Sequence, residues 1–337
     1  MAKKNVFHPF ALLNELEQSC PGIFAMYEET FSERKKDDLE FDLAHEIGEY
    51  YFPRKEYPPF MMLSRSTPEL QALKDSIDKE NLEISRKVDH TATLIMILGE
   101  WRKTKQVYSF SKEFYNMICD AEDFEVCSDV FETLPFPSIY FQFENDLGLA
   151  GVFVKYIHDR INNNLCFLIV NKEGLHLSIN FNFSEGSGFN EYITRVIDSI
   201  DNNSLPRENM EKALRFSFQA AMYLCAKNCD IVENPEQKRI YRPTTPGSTK
   251  NRYAEVRKWD VGYRVTSDIK NQSANHKELT TDKNGVVRNR PRQHWRRAHW
   301  HTYWCGPNHS KRVLKFIPPI LVNNIQDDTP IVEHPTA

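Results

Sequence analysis

The apolar positions of this chain run in helical spacing, then in alternation, then in helical spacing again. Phe10, Leu12, Leu13 and Leu16 recur at helical steps within residues 1–31, and Pro21-Gly22 ends the run. Residues 32–42 form a charged connector, and Tyr57-Pro58-Pro59 and Thr67-Pro68 break the chain again. Thr67 suits a helix N-cap with Pro68 at the first position, after which Leu70, Leu73 and Ile77 mark one face. A more apolar helix is expected over about Val88–Trp101, a short strand over Gln106–Phe110, and a helix capped by Ser111 after it.

Alternation takes over in the middle. From Ser138 to Glu144, Ile139, Phe141 and Phe143 alternate with Tyr140, Gln142 and Glu144. Gly151–Ile157, Leu165–Asn171 and Leu175–Phe183 are β-branched or aromatic runs bounded by Asn and Gly turns, which predicts an antiparallel meander. Helices follow over about 189–201 and 206–228. In the second, Met210, Leu214, Phe218, Ala221 and Cys225 share one face. The fold class is therefore α+β, in three parts: a helical N-terminal region (1–85), an α+β core (86–235) and a basic C-terminal segment (236–337).

Beyond Asn234-Pro235 the chain turns polar and basic. Val261–Thr266 suits a strand, and residues 267–289 a polar loop. His299–Trp304 alternates again, with His299, His301 and Tyr303 on one face and Trp300, Thr302 and Trp304 on the other. Gly306-Pro307-Asn308 turns the chain and Arg312–Ile317 returns, giving a hairpin over 299–317 directed back to the sheet.

Charge changes the picture most. Residues 236–316 hold nineteen Lys/Arg against six Asp/Glu, whereas the remainder holds twenty-four against forty-one, for a net charge of −4. No acidic residue occurs from Lys283 through Gln326, and residues 290–306 contain three of the five tryptophans, three of the eleven histidines and four arginines. Cations interleaved with aromatics suit phosphate and stacked bases. Apolar runs such as Leu94–Leu98 are too short to span a bilayer, and no signal peptide is evident. Seven cysteines without a Cys-x-x-Cys motif fit reduced thiols, so a cytoplasmic location without a membrane partner is expected. Phosphate loops, dinucleotide fingerprints, Gly-x-Ser-x-Gly elbows and His-Glu-x-x-His motifs are absent.

Three chemistries are open to the hairpin. As an RNA or ribosome surface, Arg288, Arg290, Arg292, Arg296 and Arg297 contact phosphates, while Trp295, Trp300, Trp304 or Tyr303 stack on bases. As a metal-independent ribonuclease, His299 and His301 exchange protons beside Tyr303 and Arg297. As a zinc site, the same histidines join His294 or His309 and Cys305, a spacing that matches no common structural-zinc pattern. A binding role requires no cofactor.

The hairpin also carries a resemblance. Arg290-Pro291, then Arg296-Arg297-x-His299-Trp300-His301-x-Tyr303-Trp304-x-Gly306, a basic strand and Pro319-x-Leu-Val322-Asn323 resemble the C-terminal signature of a family of type V-A anti-CRISPR proteins that lower production of the RNA-guided effector nuclease. Weaker similarity lies in Gly99-x-Trp101-Arg102-x-Thr104 before the Tyr108 strand, Leu134-Pro135, Leu224-Cys225, Arg242-Pro243 and Gly262-x-Arg264, over about residues 90 to 325. The resemblance implies a co-translational inhibitor that reads the N-terminal segment of the nascent effector polypeptide at the ribosome and causes loss of its message. It does not separate direct cleavage of RNA from recruitment of a host nuclease.

Overall fold

A sheet covered on both faces explains why the middle of the chain is so rich in apolar strands. The computed structural model describes residues 8–33, 47, 50–51, 79–122, 124, 127–158, 163–183, 189–199, 206–234, 256–274 and 294–322. The helices include α1 (His8–Ser19), α2 (Ile23–Glu33), α3 (Lys79–Thr104), α4 (Lys112–Cys119), α5 (Phe189–Ser199), α6 (Arg207–Cys225) and α7 (Tyr263–Ala274). Among the described residues, seven strands form the main sheet: β1 (Gln106–Phe110), β2 (Ser138–Phe143), β3 (Leu149–His158), β4 (Asn163–Asn171), β5 (His176–Asn182), β6 (Ile231–Glu233) and β7 (Arg257–Val261). Their spatial order is β5-β4-β3-β2-β1-β7-β6.

The meander β2 to β5 is antiparallel as expected. The sheet as a whole is mixed, because β1 runs parallel to both β2 and β7. Successive strand residues point to opposite faces. Phe110, Phe141, Val152, Val154, Phe167 and Ile169 face a layer built from α4, α5 and α6, where Phe114, Ile193, Phe216 and Leu224 are buried. Val107, Tyr140, Phe153, Cys166, Leu168 and Val170 face the opposite layer of α1, α2 and α3, with Leu12, Ile23, Ile95 and Trp101. With both faces covered, β4 reads Leu-Cys-Phe-Leu-Ile-Val without alternation.

Several local expectations are met. The Ser111 hydroxyl accepts from the Phe114 N–H at 3.2 Å and caps α4. Gly22, at φ +83°, separates α1 from α2, so the N-terminal run is two helices. Arg102 pairs with Glu28 and lies 4.9 Å from the centre of the Phe24 ring, a half-buried contact. The helix expected after Thr67 lies outside the described residues.

Two expectations are corrected around residue 262. Val261–Thr266 is not a strand: β7 ends at Val261, Gly262 turns at φ +72°, and α7 begins at Tyr263. Val265 and Ile269, one turn apart, both pack on the core, which favours the helix over β-propensity. Residues 267–274, expected as loop, therefore belong to α7; residues 275–289 lie outside the described residues. A Cβ at Gly262 would sit 2.0 Å from the Phe114 ring, so both the turn and the packing require glycine there.

Candidate nucleic-acid interface

The hairpin consists of β9 (His299–Cys305) and β10 (Lys311–Ile317), preceded by β8 (His294–Arg296), which pairs with β11 (Ile320–Val322). It forms its own two-stranded sheet and does not join the main one. The expected return to the sheet is replaced by docking on α6, because the inner row of the hairpin is apolar and α6 presents a matching face.

That inner row is Trp300, Thr302 and Trp304 on β9 opposite Phe316, Leu314 and Arg312 on β10. Trp300, Leu314 and Phe316 are buried in the same core as α6. The Phe316 ring lies 5.3 Å from Tyr223 in an edge contact and 4.9 Å from Trp300. The Trp300 indole N–H donates to the buried Gln219 side chain at 3.2 Å. Backbone ties complete the dock: the Lys227 N–H donates to the Leu314 carbonyl at 2.9 Å. The Asn228 side chain brackets Phe316, donating to its carbonyl at 2.7 Å and accepting from its N–H at 3.0 Å.

The outer row is His299, His301, Tyr303 and Cys305 opposite Ile317, Lys315, Val313 and Lys311. His301 is exposed and its ring lies 4.1 Å from that of Tyr303. The Lys315 ammonium stands 4.8 Å from the Tyr303 centroid. Trp304 has the inner-row parity but lies past the end of the dock, 54% exposed, with the Arg312 guanidinium 4.9 Å from its ring centre. Positive φ at Gly306, Asn308 and His309 turns the chain between the strands.

The predicted residues separate accordingly. His299, His301 and Tyr303 share one face, as the alternation implied. Arg296 and Arg297 are exposed just before β9. Trp295 sits in β8 opposite Leu321. Trp300 is corrected: at 5% exposure and bonded to Gln219, it is a core anchor and offers no stacking surface. Arg288, Arg290 and Arg292 lie outside the described residues. Sequence reasoning left Arg312 and Lys315 without partners; the register set by the 306–310 turn supplies them. It passed over Gln219 and Asn228 altogether, since a polar residue in or near a core helix gives no local sign of what it will meet.

Among the described residues, no three His, Cys, Asp or Glu side chains are grouped as a metal set, so the zinc reading has no ligand cluster there. Burial pushes the thiols of Cys119 and Cys225 up, to about 11 and about 12, which leaves both poor nucleophiles near neutral pH. Among the described residues no helix is long and apolar enough to cross a membrane.

The fold and this surface define a class: a layered α+β protein that presents a cationic, aromatic hairpin docked on a core helix. The chain belongs to the Anti-CRISPR type V subtype A2 family (AcrVA2-like), whose family model matches residues 108–324 and so spans the sheet from β1 onward and the whole hairpin. Among solved structures, the crystal structure of AcrVA2 is similar in fold, with 16% sequence identity and a TM-score of 0.50 over 94% of this chain and 99% of that one. No curated protein matches the chain. It is accordingly an anti-CRISPR protein of type V-A.

Proposed function

We propose that this anti-CRISPR protein recognises the N-terminal segment of a type V-A effector nuclease as a nascent polypeptide and triggers degradation of the message being translated. The observation that carries the reading is the division of the molecule. A layered body of net negative composition holds, through α6, a separate hairpin whose outer row is cationic and aromatic. The hairpin faces RNA or the ribosome, with Arg296, Arg297, Lys315 and Trp304 as contacts. The body reads peptide, by strand addition at a sheet edge or by taking a helix in a groove. Binding of this kind needs no cofactor.

The test is calorimetric titration of the full chain with a synthetic peptide spanning the effector N-terminus, at about 0.15 M salt, where charges beyond roughly 8 Å are screened. Saturable binding supports a nascent-chain reader. Absence of binding with RNA affinity intact removes the peptide arm and leaves an RNA-binding regulator.

One contact favours a second reading, in which the protein cuts RNA itself. His301 is exposed beside Tyr303 and Lys315, with His299 two residues away on the same face, which groups proton-transfer candidates with a cation for the phosphate. Replacing His299 and His301 together with alanine abolishes RNA turnover on this reading and leaves it unchanged on the recruiting one.

A further inference from the structure

We propose that a cleft between α4, α7 and the Arg296–Ala298 segment binds a single unpaired nucleotide of RNA. The proposal rests on the RNA-facing reading above and adds a defined site to it. The cleft has a volume of about 290 Å³. That lies near the small end of ligand pockets, roughly 300–1,000 Å³, and suits one base with its ribose rather than a folded segment.

The floor is apolar, formed by Met117, Ile269, Ala298 and Pro319. Met117 and Ala298 belong to the buried core, so this surface does not rearrange freely. Two contacts span the walls. The Glu122 N–H donates to the Ala298 carbonyl at 3.2 Å and joins the end of α4 to the hairpin approach. Across the other side, Lys270 of α7 pairs with Glu113 of α4 at 2.9 Å. With Met117 and Ala298 in the core and the Glu122–Ala298 tie beside them, the floor of the cleft is preformed, which lowers the ordering cost of binding.

Arg296 and Arg297 stand at the rim, both exposed, and among the described residues neither guanidinium is held in an ion pair. Asp120 adds a carboxylate, which accepts from the exocyclic amino group of a base and repels a phosphate. The arrangement therefore orients a nucleotide: base on the apolar floor, phosphate outward on the arginines. An aliphatic side chain of a peptide would fill the floor but leave both arginines without an anion. From Arg297 the chain runs directly into β9, so a strand leaving the cleft continues onto the outer row of the hairpin.

Cations near the carboxyl end of α4 also stabilise its free carbonyls, a role that needs the charges but no base on the floor. Methyl NMR separates the two. Full-length protein labelled at its eight methionine methyls is titrated with each of the four nucleoside 5′-monophosphates, with ribose 5-phosphate, with a short single-stranded RNA and with the effector N-terminal peptide. The expected result is a saturable ring-current shift of the Met117 methyl with at least one nucleotide and with the RNA, and none with ribose 5-phosphate. Arg296→Ala with Arg297→Ala should weaken nucleotide binding about tenfold while the ligand-free spectrum stays in place. A silent Met117 with RNA binding intact by fluorescence anisotropy overturns the cleft and spares the interface. A Met117 response confined to the effector peptide also overturns it, by assigning the cleft to polypeptide. Loss of all RNA binding in the unsubstituted protein removes the cleft and the RNA-facing reading together.

Discussion

Trp300 and Trp304 lie four residues apart on the inner row of one strand, yet 5% of one and 54% of the other is exposed. The support beneath them decides the difference. The backbone just past α6 meets the hairpin at Leu314, and the Trp304–Arg312 pair lies one step beyond that contact. Trp300→Ala should therefore cost about 3–5 kcal/mol in chemical denaturation. Trp304→Ala should change stability by about 0.5 kcal/mol or less and weaken binding to single-stranded RNA by about 1–3 kcal/mol. Equal stability losses at the two positions would contradict the assignment. A second residue-scale prediction concerns His90 on α3, whose ring stacks on His176 at 5.0 Å and whose Nδ1 lies 3.1 Å from the Ser178 hydroxyl. Burial, and then the neighbouring His176, lower its pKa from 6.5 to about 4. The unfolded chain takes up this proton first as pH falls, so folding loses stability between about pH 6.5 and 4. His90→Gln should flatten the pH dependence of urea midpoints in that window, by on the order of 3 kcal/mol.

At the scale of elements, the hairpin is held by polar ties as well as by its apolar row. Asn228→Ala removes both hydrogen bonds to Phe316 and leaves that backbone pair to find water. The expected cost is about 1–3 kcal/mol. Hydrogen exchange should quicken in β10 and stay unchanged in β3 and β4; uniform quickening would mean the hairpin and the sheet open as one unit. Much of this element was legible in the chain. Period two sorted His299, His301 and Tyr303 from Trp300, Thr302 and Trp304, because parity is a local property. Parity does not report depth, so Trp300 could not be told from Trp304, and the docking on α6 had no local sign. Helix α7 was hidden for a related reason: Val265 and Thr266 favour strands, and only the distant core that receives Val265 and Ile269 decides for a helix. The meander was readable because hairpin-linked strands are neighbours in sequence. The pairing of β1 with β7 was not, since its partner lies about 150 residues away.

The whole molecule carries its charge in two blocks, nineteen Lys/Arg to six Asp/Glu in residues 236–316 and the reverse bias elsewhere. RNA affinity should consequently fall steeply as salt rises, with a log–log slope of about −0.7 per phosphate contact, whereas peptide affinity through apolar anchors should barely move. Removing Arg296 and Arg297 together should make the RNA slope shallower by about 1.4; an unchanged slope would place both arginines off the RNA path. The position of β1 has another consequence, in time rather than in space. It is an inner strand of the finished sheet, but β7, whose Trp259 indole N–H donates to Gln106 at 2.7 Å, is among the later parts of the chain to be made. At about 5–20 residues per second, roughly 7–30 s of synthesis separate the two strands. For that interval one side of β1 has no strand to pair with. A protein proposed to intercept another chain as it emerges is itself, while being made, a chain with an open edge.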